Sequence, residues 1–187
     1  MTSIISNMSA SALAGLSTTT ISKLKSSDIA GLRSDQVSAL TTAQVSAIAG
    51  SSLVSISTQA LALFNSAQVA ALSTASVVSL GTKVSSIATS AVSGMRSAQL
   101  AVMSYSQINS LSTKQVSALD TSMSYISTAQ ISSLTTDVIS SISTAGLMAL
   151  STLITFYTLC TLVALETNIA LYALSTIVTL ITLSAID

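Results

Sequence analysis

The sequence is poor in the residues that carry most protein chemistry. It contains no histidine, proline or tryptophan and one cysteine, and only 6% of its 187 residues are charged. Without histidine, a serine or cysteine nucleophile has no customary base, and zinc has no usual ligand set. Cys160 alone cannot form an internal disulfide, and a formal net charge of zero gives no basic face for nucleic acid. We therefore expect no catalytic residue, cofactor, metal, small-molecule substrate or nucleic-acid partner.

What the sequence does contain is a high proportion of apolar residues. Half of the residues are apolar, whereas charged residues make up about 25% of an ordinary soluble domain. The surface must therefore be presented largely by Ser, Thr and Ala, and a chain with so little self-repulsion should associate readily. The apolar residues are regularly placed, which argues against disorder.

The regular placement is an eight-residue repeat, clearest in residues 40–47. An apolar residue opens each unit and a second follows five positions later, except in two seven-residue units, where it shifts to Val84 and Met123. The openers are Met8, Leu16, Leu24, Leu32, Leu40, Ile48, Ile56, Phe64, Leu72, Leu80, Ile87, Met95, Met103, Leu111, Leu119, Ile126, Leu134, Ile142 and Leu150. Chance does not keep one register over so many units, so the repeat is a structural unit.

The polar residues of the unit have the chemistry of a helix start. A Gln stands three positions after a hydroxyl or amide residue in Thr41 with Gln44, Asn65 with Gln68, Ser112 with Gln115 and Ser127 with Gln130. This is the spacing of a capping box, in which the first side chain caps a free backbone N–H and the Gln reaches back. The opener then precedes the cap, and the second apolar residue is the fourth helical residue; together they form a hydrophobic staple.

A single long helix and a strand are the competing interpretations of the repeat. A helix turns by about 100° per residue, so an eight-residue step moves the apolar stripe by about 80° and winds it away from any one core. A strand would alternate every two residues, whereas the apolar spacing alternates between five and three. Each unit is therefore predicted to be a helix of one to two turns followed by a bend. Because so short a helix is unstable alone, the units must stack into a solenoid, whose number of units per coil the sequence does not indicate.

The character of the chain changes after Leu150. Lys and Arg are absent from there on, and the only charges are Glu166 and Asp187. Thr or Ala recurs at every third position, and residues 150–164 align with residues 165–179 as a fifteen-residue repeat. Fifteen residues over four turns favour helices in a right-handed supercoil, which pack on copies of themselves. A membrane helix and a strand are the alternatives for this segment.

Three local patterns resemble reactive chemistry. Residues 22–25 match S-x-x-K, a pattern expected by chance in a serine-rich chain, and we interpret them as a solvated cap. Asp28 and Asp35 could be paired carboxylates, but both fall in the polar part of adjacent units, near helix starts where the helix dipole favours acids. Cys160 lies in an apolar run and is predicted to pack as a small hydrophobe.

Units such as Leu-Ser-Thr-Lys-Gln-Val-Ser-Ala at 111–118 and Ile-Ser-Thr-Ala-Gln-Ile-Ser-Ser at 126–133 carry a broader resemblance. They are similar to the L-S/T-T-x-Q-V/I octads of long repetitive bacterial surface or secreted proteins. The resemblance covers residues 16–150 and implies a structural role outside the cell or at its surface. It carries over no functional residue. The N-terminus shows no basic region followed by a long apolar core, so we expect no classical signal peptide.

We predict an all-α protein in three parts: an N-terminal cap in residues 1–15, a solenoid of very short capped helices in residues 16–149, and an apolar Leu/Thr-rich helical assembly segment in residues 150–187. The predicted function is non-enzymatic. Copies of the chain assemble into a filament or layer through the last segment, which hides an apolar surface larger than a monomer tolerates. The residues predicted to form the assembly interface are Leu153, Phe156, Leu159, Leu162, Leu165, Leu171, Leu174, Ile177 and Leu180.

The alternative is a membrane-associated protein whose C-terminal segment inserts into the bilayer while the repeats project from it. Residues 145–165 and 168–186 are each uncharged over about the length that spans a bilayer. Their many Thr and Ser residues and the missing Lys/Arg flanks are untypical of membrane helices. A third interpretation is a repeat scaffold that binds another protein, for which we expect a stable monomer with an exposed tail.

Overall fold

The computed structural model describes residues 5–132, 134–148 and 150. The chain divides into two compact units, Met1–Ala149 and Leu150–Asp187. Fifteen α-helices and two 3₁₀ helices have both ends defined within the described residues, and these residues contain no strand. The prediction of an all-α protein is confirmed for this part of the chain.

The helices are short, and their bounds follow the octads. The first nine are α1 (Ala10–Ala14), α2 (Thr18–Ile21), α3 (Ser26–Ala30), α4 (Ser34–Ala39), α5 (Thr42–Ala47), α6 (Gly50–Leu53), α7 (Thr58–Leu61), α8 (Ser66–Ala71) and α9 (Thr74–Leu80). The remainder are η1 (Gly81–Ser86), α10 (Thr89–Val92), α11 (Ser97–Ala101), α12 (Tyr105–Ser110), α13 (Thr113–Leu119), η2 (Asp120–Tyr125), α14 (Thr128–Ser132) and α15 (Thr136–Ser141). Residues 144–148 are helical as well.

The start of most helices follows from a capping side chain, although α6 and α10 have Ala49 and Ala88 at the cap. In α5 the Gln44 backbone N–H donates to Thr41 Oγ1 at 3.2 Å, and the Thr41 N–H donates to Gln44 Oε1 at 3.0 Å. The four predicted capping boxes are confirmed, and Ser104 with Gln107 forms a fifth. Each box satisfies two backbone N–H groups that the first turn of a helix leaves unpaired.

Helices α4, α5, α8, α12 and α15 end directly before the next opener because that residue leaves the helical conformation. Leu40, which follows α4, has φ −60° and ψ 129°, and Ile48, which follows α5, has φ −66° and ψ 124°. The extended backbone at these residues stops the helical hydrogen-bond pattern and redirects the chain toward the next cap. The predicted helix of one to two turns followed by a bend is therefore confirmed.

The two apolar positions of the octads form the core of the first unit. The fourth helical residues Val37, Val45 and Val69 are completely buried, and the openers Leu40 and Ile48 are almost so. The last units differ from the prediction, because Ile139 and Leu147 are each 48% exposed. In the described part of the chain there is no helix three places after the helices that contain these two residues, so no later helix covers their side chains.

Contacts between helices recur every third helix, and the helices in serial contact are called a stack. The first stack contains α1, α4, α7, η1 and α12; the second contains α2, α5, α8, α10, α13 and α15; the third contains α3, α6, α9, α11 and η2. One period is therefore three octads. The sequence does not reveal this number because an octad specifies a helix and a bend without fixing the angle of the bend.

The two seven-residue units form the 3₁₀ helices η1 and η2. Each begins at a residue with left-handed backbone, Gly81 with φ 52° and Asp120 with φ 44°. Glycine adopts this conformation freely, and Asp is one of the few other residues that tolerate it. Val84 and Met123 are nevertheless buried, so a unit that is one residue short still places its second apolar residue in the core, as predicted.

Candidate functional site

Buried glutamines are the most distinctive polar feature of the first unit. Gln68, the third residue of α8, accepts from the Asn65 N–H at 3.0 Å through Oε1 and donates from Nε2 to the carbonyls of Val37 at 3.0 Å and Leu40 at 2.8 Å. One side chain thus satisfies three backbone groups. We call this arrangement a glutamine clamp, and it is formed by Gln36, Gln44, Gln68, Gln99, Gln107, Gln115 and Gln130.

The clamps connect successive periods of the chain. Their acceptor carbonyls lie 26 to 31 residues earlier in the sequence. Those of Gln36 lie just before α1, and those of the other clamps lie at the junction between two helices of the preceding period. Gln68 of α8, for example, reaches the junction of α4 and α5. Among the described residues no buried side-chain N or O atom lacks a hydrogen-bond partner. The clamps are therefore fully used by the fold and leave no free polar group for a ligand.

Not every octad has a glutamine at the clamp position. In α6 the position is taken by Ser52, whose hydroxyl donates to the Leu24 carbonyl at 2.8 Å. In η1 the Lys83 ammonium donates to the carbonyls of Val54 at 2.7 Å and Ile56 at 3.1 Å. The α10 helix has buried Ala91 there and no polar atom to share. Ser52 and Lys83 thus donate to the preceding period from this position, whereas Ala91 has no side-chain donor.

The residues that resembled reactive chemistry have structural partners. The Ser22 hydroxyl donates to the Thr19 carbonyl at 2.9 Å, and the Lys25 N–H donates to Asp28 Oδ2 at 3.0 Å. Asp35 is exposed and pairs with Arg33 at 3.1 Å, and the hydrogen bond from the guanidinium lowers the pKa of this carboxyl. Asp28 and Asp35 lie in the first turns of α3 and α4, which confirms their interpretation as helix-start residues.

The nine residues of the predicted assembly interface and Cys160 lie outside the described residues. In the described ranges no three metal-ligating side chains come together. No helix of the described part combines the length and the hydropathy that crossing a bilayer requires. An open groove of about 740 Å³ is lined mainly by hydroxyls, including those of Thr89, Thr113 and Ser117. Lys114 also lines the groove, and the Ser143 hydroxyl donates to Asp120 Oδ1 at 2.6 Å.

The surface of the first unit carries an unexpected set of large apolar side chains. Val54 is 46% exposed, Val78 53%, Val102 40% and Tyr125 53%. All four lie in or directly after helices of the third stack, and we call them the apolar ridge. Sequence inspection missed the ridge because its members are far apart in the chain, and their common spacing has meaning only when the period of three octads is known.

Comparison of the chain with protein-family models, with curated proteins and with solved structures finds no match. Its function must therefore be argued from its own residues.

Proposed function

We propose that the chain is a non-enzymatic structural protein that assembles with copies of itself into a filament or layer. The octads form a solenoid with three short helices in each coil, and residues 150–187 join neighbouring copies. The resemblance of residues 16–150 to the octads of repetitive bacterial surface or secreted proteins supports a location outside the cell or at its surface.

The single observation that supports the solenoid best is the span of the glutamine clamps. Seven clamps reach back by 26 to 31 residues, about one period of three octads plus the distance from a cap to the preceding junction. The serial contacts of the three stacks have the same period. A repeat with one unit per bend and contacts only between neighbouring coils is the general character of solenoids.

Composition supports a structural role and self-association. The clamps consume the buried polar groups, and the surface offers Ser, Thr and Ala with few charges to keep copies apart. Residues 150–187 hold many Leu, Ile and Val residues and two charges, so a monomer that exposed them would carry an apolar surface of the kind that marks interaction sites.

The test replaces Leu162 and Leu171 with Asp in the full chain. We expect regular polymers from the unchanged protein in detergent-free buffer and small soluble species from this variant, both viewed by negative-stain microscopy. The matched control is Thr42→Asp with Ser66→Asp, which adds the same charge at two exposed first-turn positions of α5 and α8 and should leave the polymers intact.

Polymers that survive in the Leu162→Asp, Leu171→Asp protein would contradict assembly through this segment. Amorphous aggregate of the unchanged protein that becomes monodisperse in detergent, and that floats with lipid vesicles, would replace the proposal by the membrane alternative. If the unchanged protein is a stable monomer without detergent, that result would favour the interpretation as a repeat scaffold that binds another protein.

A further inference from the structure

The apolar ridge is regular along the chain. Val78 follows Val54 by 24 residues, Val102 follows Val78 by 24, and Tyr125 follows Val102 by 23. The helices concerned, α6, α9, α11 and η2, contact one another in series. Val54, Val78 and Tyr125 each lie six residues after the opener of their unit, and Val102 lies seven residues after its opener, because the seven-residue unit shortens that period to 23 residues. The third stack thus exposes one large apolar side chain in each of four successive periods.

Among the described residues the other two stacks carry no such ridge, so the octad itself does not require one. Val54 and Val78 are the fifth residues after the caps of α6 and α9, two positions before the next opener. The corresponding residues of the second stack are Ser22, Ser46, Ala70, Ser93, Ser117 and Ser140. In the first stack Leu63 is the large exposed apolar residue near this position. The third stack alone presents a line of large apolar side chains.

The face that carries the ridge has few charges, and its exposed basic residues Lys25 and Arg96 stand at the caps of α3 and α11. The helices of the third stack contain two charged residues, Asp28, which is buried, and Asp120, which is exposed. Depletion of charge around apolar and aromatic residues is the compositional mark of a protein–protein interface core. Contiguous exposed apolar patches mark interaction sites, whereas single exposed residues do not.

We propose that this face binds the same face of a second copy in an antiparallel two-fold pair. The ridge lies toward the C-terminal end of each helix, so it meets the ridge of the partner copy only if the helices of the two faces are parallel. The two-fold axis then runs along the helix direction and reverses the order of the stack, so that α3 lies opposite η2 and α9 opposite α9. A parallel pair would place each ridge against the capped ends of the other copy.

The antiparallel order matches the side chains that it brings together. At the centre Val78 meets Val78, on either side Val54 meets Val102, and at the ends the bulky Tyr125 meets the small, exposed Ala30 of α3. The order also brings the exposed Lys25 that caps α3 to the side of the exposed Asp120 that opens η2, which adds complementary charge at the rim.

The size of the face is sufficient for a stable pair. Stacked helices lie about 8–10 Å apart, so five in series extend for about 40 Å. A strip of that length and about 20 Å width, which an octad helix with its two flanking bends provides, supplies the ~800 Å² that each partner contributes to a standard interface. The pairing uses no residue of 150–187, so it is independent of assembly through that segment.

Cysteine cross-linking of the full chain tests the position of the two-fold axis. In a Cys160→Ser background, Val78→Cys should give a covalent dimer with a short bismaleimide at least tenfold more efficiently than Ser46→Cys, the matched position of the second stack. Ala30→Cys and Tyr125→Cys should each cross-link poorly alone and efficiently when the two proteins are mixed. Equal cross-linking of Val78→Cys and Ser46→Cys, or self-cross-linking of Ala30→Cys, would overturn the proposal.

A charge variant tests the same pairing without a reagent. Val54→Lys, Val78→Lys and Val102→Lys together should raise the dimer Kd at least tenfold in sedimentation velocity, with an unchanged far-UV circular dichroism spectrum. Ser46→Lys, Ser93→Lys and Ser117→Lys add equal charge on the second stack and should leave the Kd unchanged. Both sets are best compared in the Leu162→Asp, Leu171→Asp background, which separates pairing from polymerisation. A dimer that resists the ridge variant, or that is absent from the starting protein, contradicts the proposal.

Discussion

Two successive helices of the second stack, α8 and α10, join the preceding period in different ways. The α8 helix uses the Gln68 clamp, whose Nε2 donates to two carbonyls of the period before. The α10 helix has Ala91 at the clamp position and comes so close to α8 that a Cβ on Gly94 would lie 2.8 Å from the backbone carbon of Ser66. One junction is bridged by an amide side chain, and the other is closed by direct backbone approach.

The difference shows what the octad specifies and what it leaves open. Both helices keep the two buried apolar positions, Phe64 with Val69 in α8 and Ile87 with Val92 in α10. Their caps differ, because Asn65 caps α8 through its side chain and Ala88 at the start of α10 makes no such bond. The helix and its bend therefore form with or without a side-chain cap. The clamp position sets how neighbouring periods meet, because it is buried between them in both helices. A donor there satisfies the carbonyls of the preceding junction, and a small residue lets the backbones approach.

The largest loss of unfolding free energy is expected when the clamp side chain keeps its shape but loses its amide donor. Gln68→Glu retains an acceptor for the Asn65 N–H but turns a buried carboxylate toward two carbonyl oxygens, which should cost about 4 kcal/mol of unfolding free energy. Urea unfolding followed by circular dichroism measures this cost. Gln59→Glu, at an exposed position in the first turn of α7, is the control and should change stability by less than about 0.5 kcal/mol. Similar stabilities of the two variants would show that the clamp is dispensable.

A smaller effect is expected when the close junction is forced apart. Gly94→Ala brings a methyl group against the Ser66 backbone, which cannot move aside as a side chain does, and overpacking of this kind costs about 2–3 kcal/mol. The control is Gly15→Ala, because Gly15 has φ −80° and its added Cβ would lie at ordinary contact distance, 3.5 Å from the nearest atom. The control should match or slightly exceed the parent in thermal stability. Equal melting temperatures for both variants would argue against close approach.

The smallest loss of unfolding free energy is expected where a serine at the clamp position makes one hydrogen bond to the preceding period. Ser52→Ala removes the one hydrogen bond to the Leu24 carbonyl and leaves that acceptor unpaired, which should cost about 1 kcal/mol in the same urea assay. Ser51→Ala, one residue earlier and exposed, serves as the control with an expected change near zero. A cost at Ser52 as large as that at Gln68 would mean that the number of bonds does not govern the junction.

The local half of this architecture could be predicted from the sequence. Thr41 with Gln44 identifies a helix start because the capping box is completed within four residues, and Leu40 and Val45 identify the core for the same reason. The other half of each clamp could not be predicted, because the carbonyls that Gln44 reaches belong to Leu13 and Leu16. Their proximity depends on the angles of three intervening bends, which no residue pattern reports.

The two seven-residue units were likewise only partly predictable from the sequence. Gly81 at the start of a seven-residue unit suggests an unusual backbone, since glycine is the residue that adopts left-handed conformations freely. Asp120 gives a weaker sequence signal for the same conformation, although its φ of 44° is close to that of Gly81. The apolar ridge was missed for a related reason: Val54 and Val78 are ordinary apolar residues until the 24-residue period aligns them. The assembly residues from Leu153 to Leu180 stay a prediction.

The period of three octads also sets how such a chain can grow. Insertion of one octad preserves every cap and every bend, yet each later residue then moves to the next of the three stacks. If the insertion fell between Val54 and Val78, then Val78 and Val102 would lie in a different stack from Val54, and the ridge would be divided between two faces. Insertion of 24 residues leaves all faces intact. Duplication in steps of three octads is therefore the way to lengthen the molecule without rewriting its surface, whereas steps of one octad change which side chains it presents.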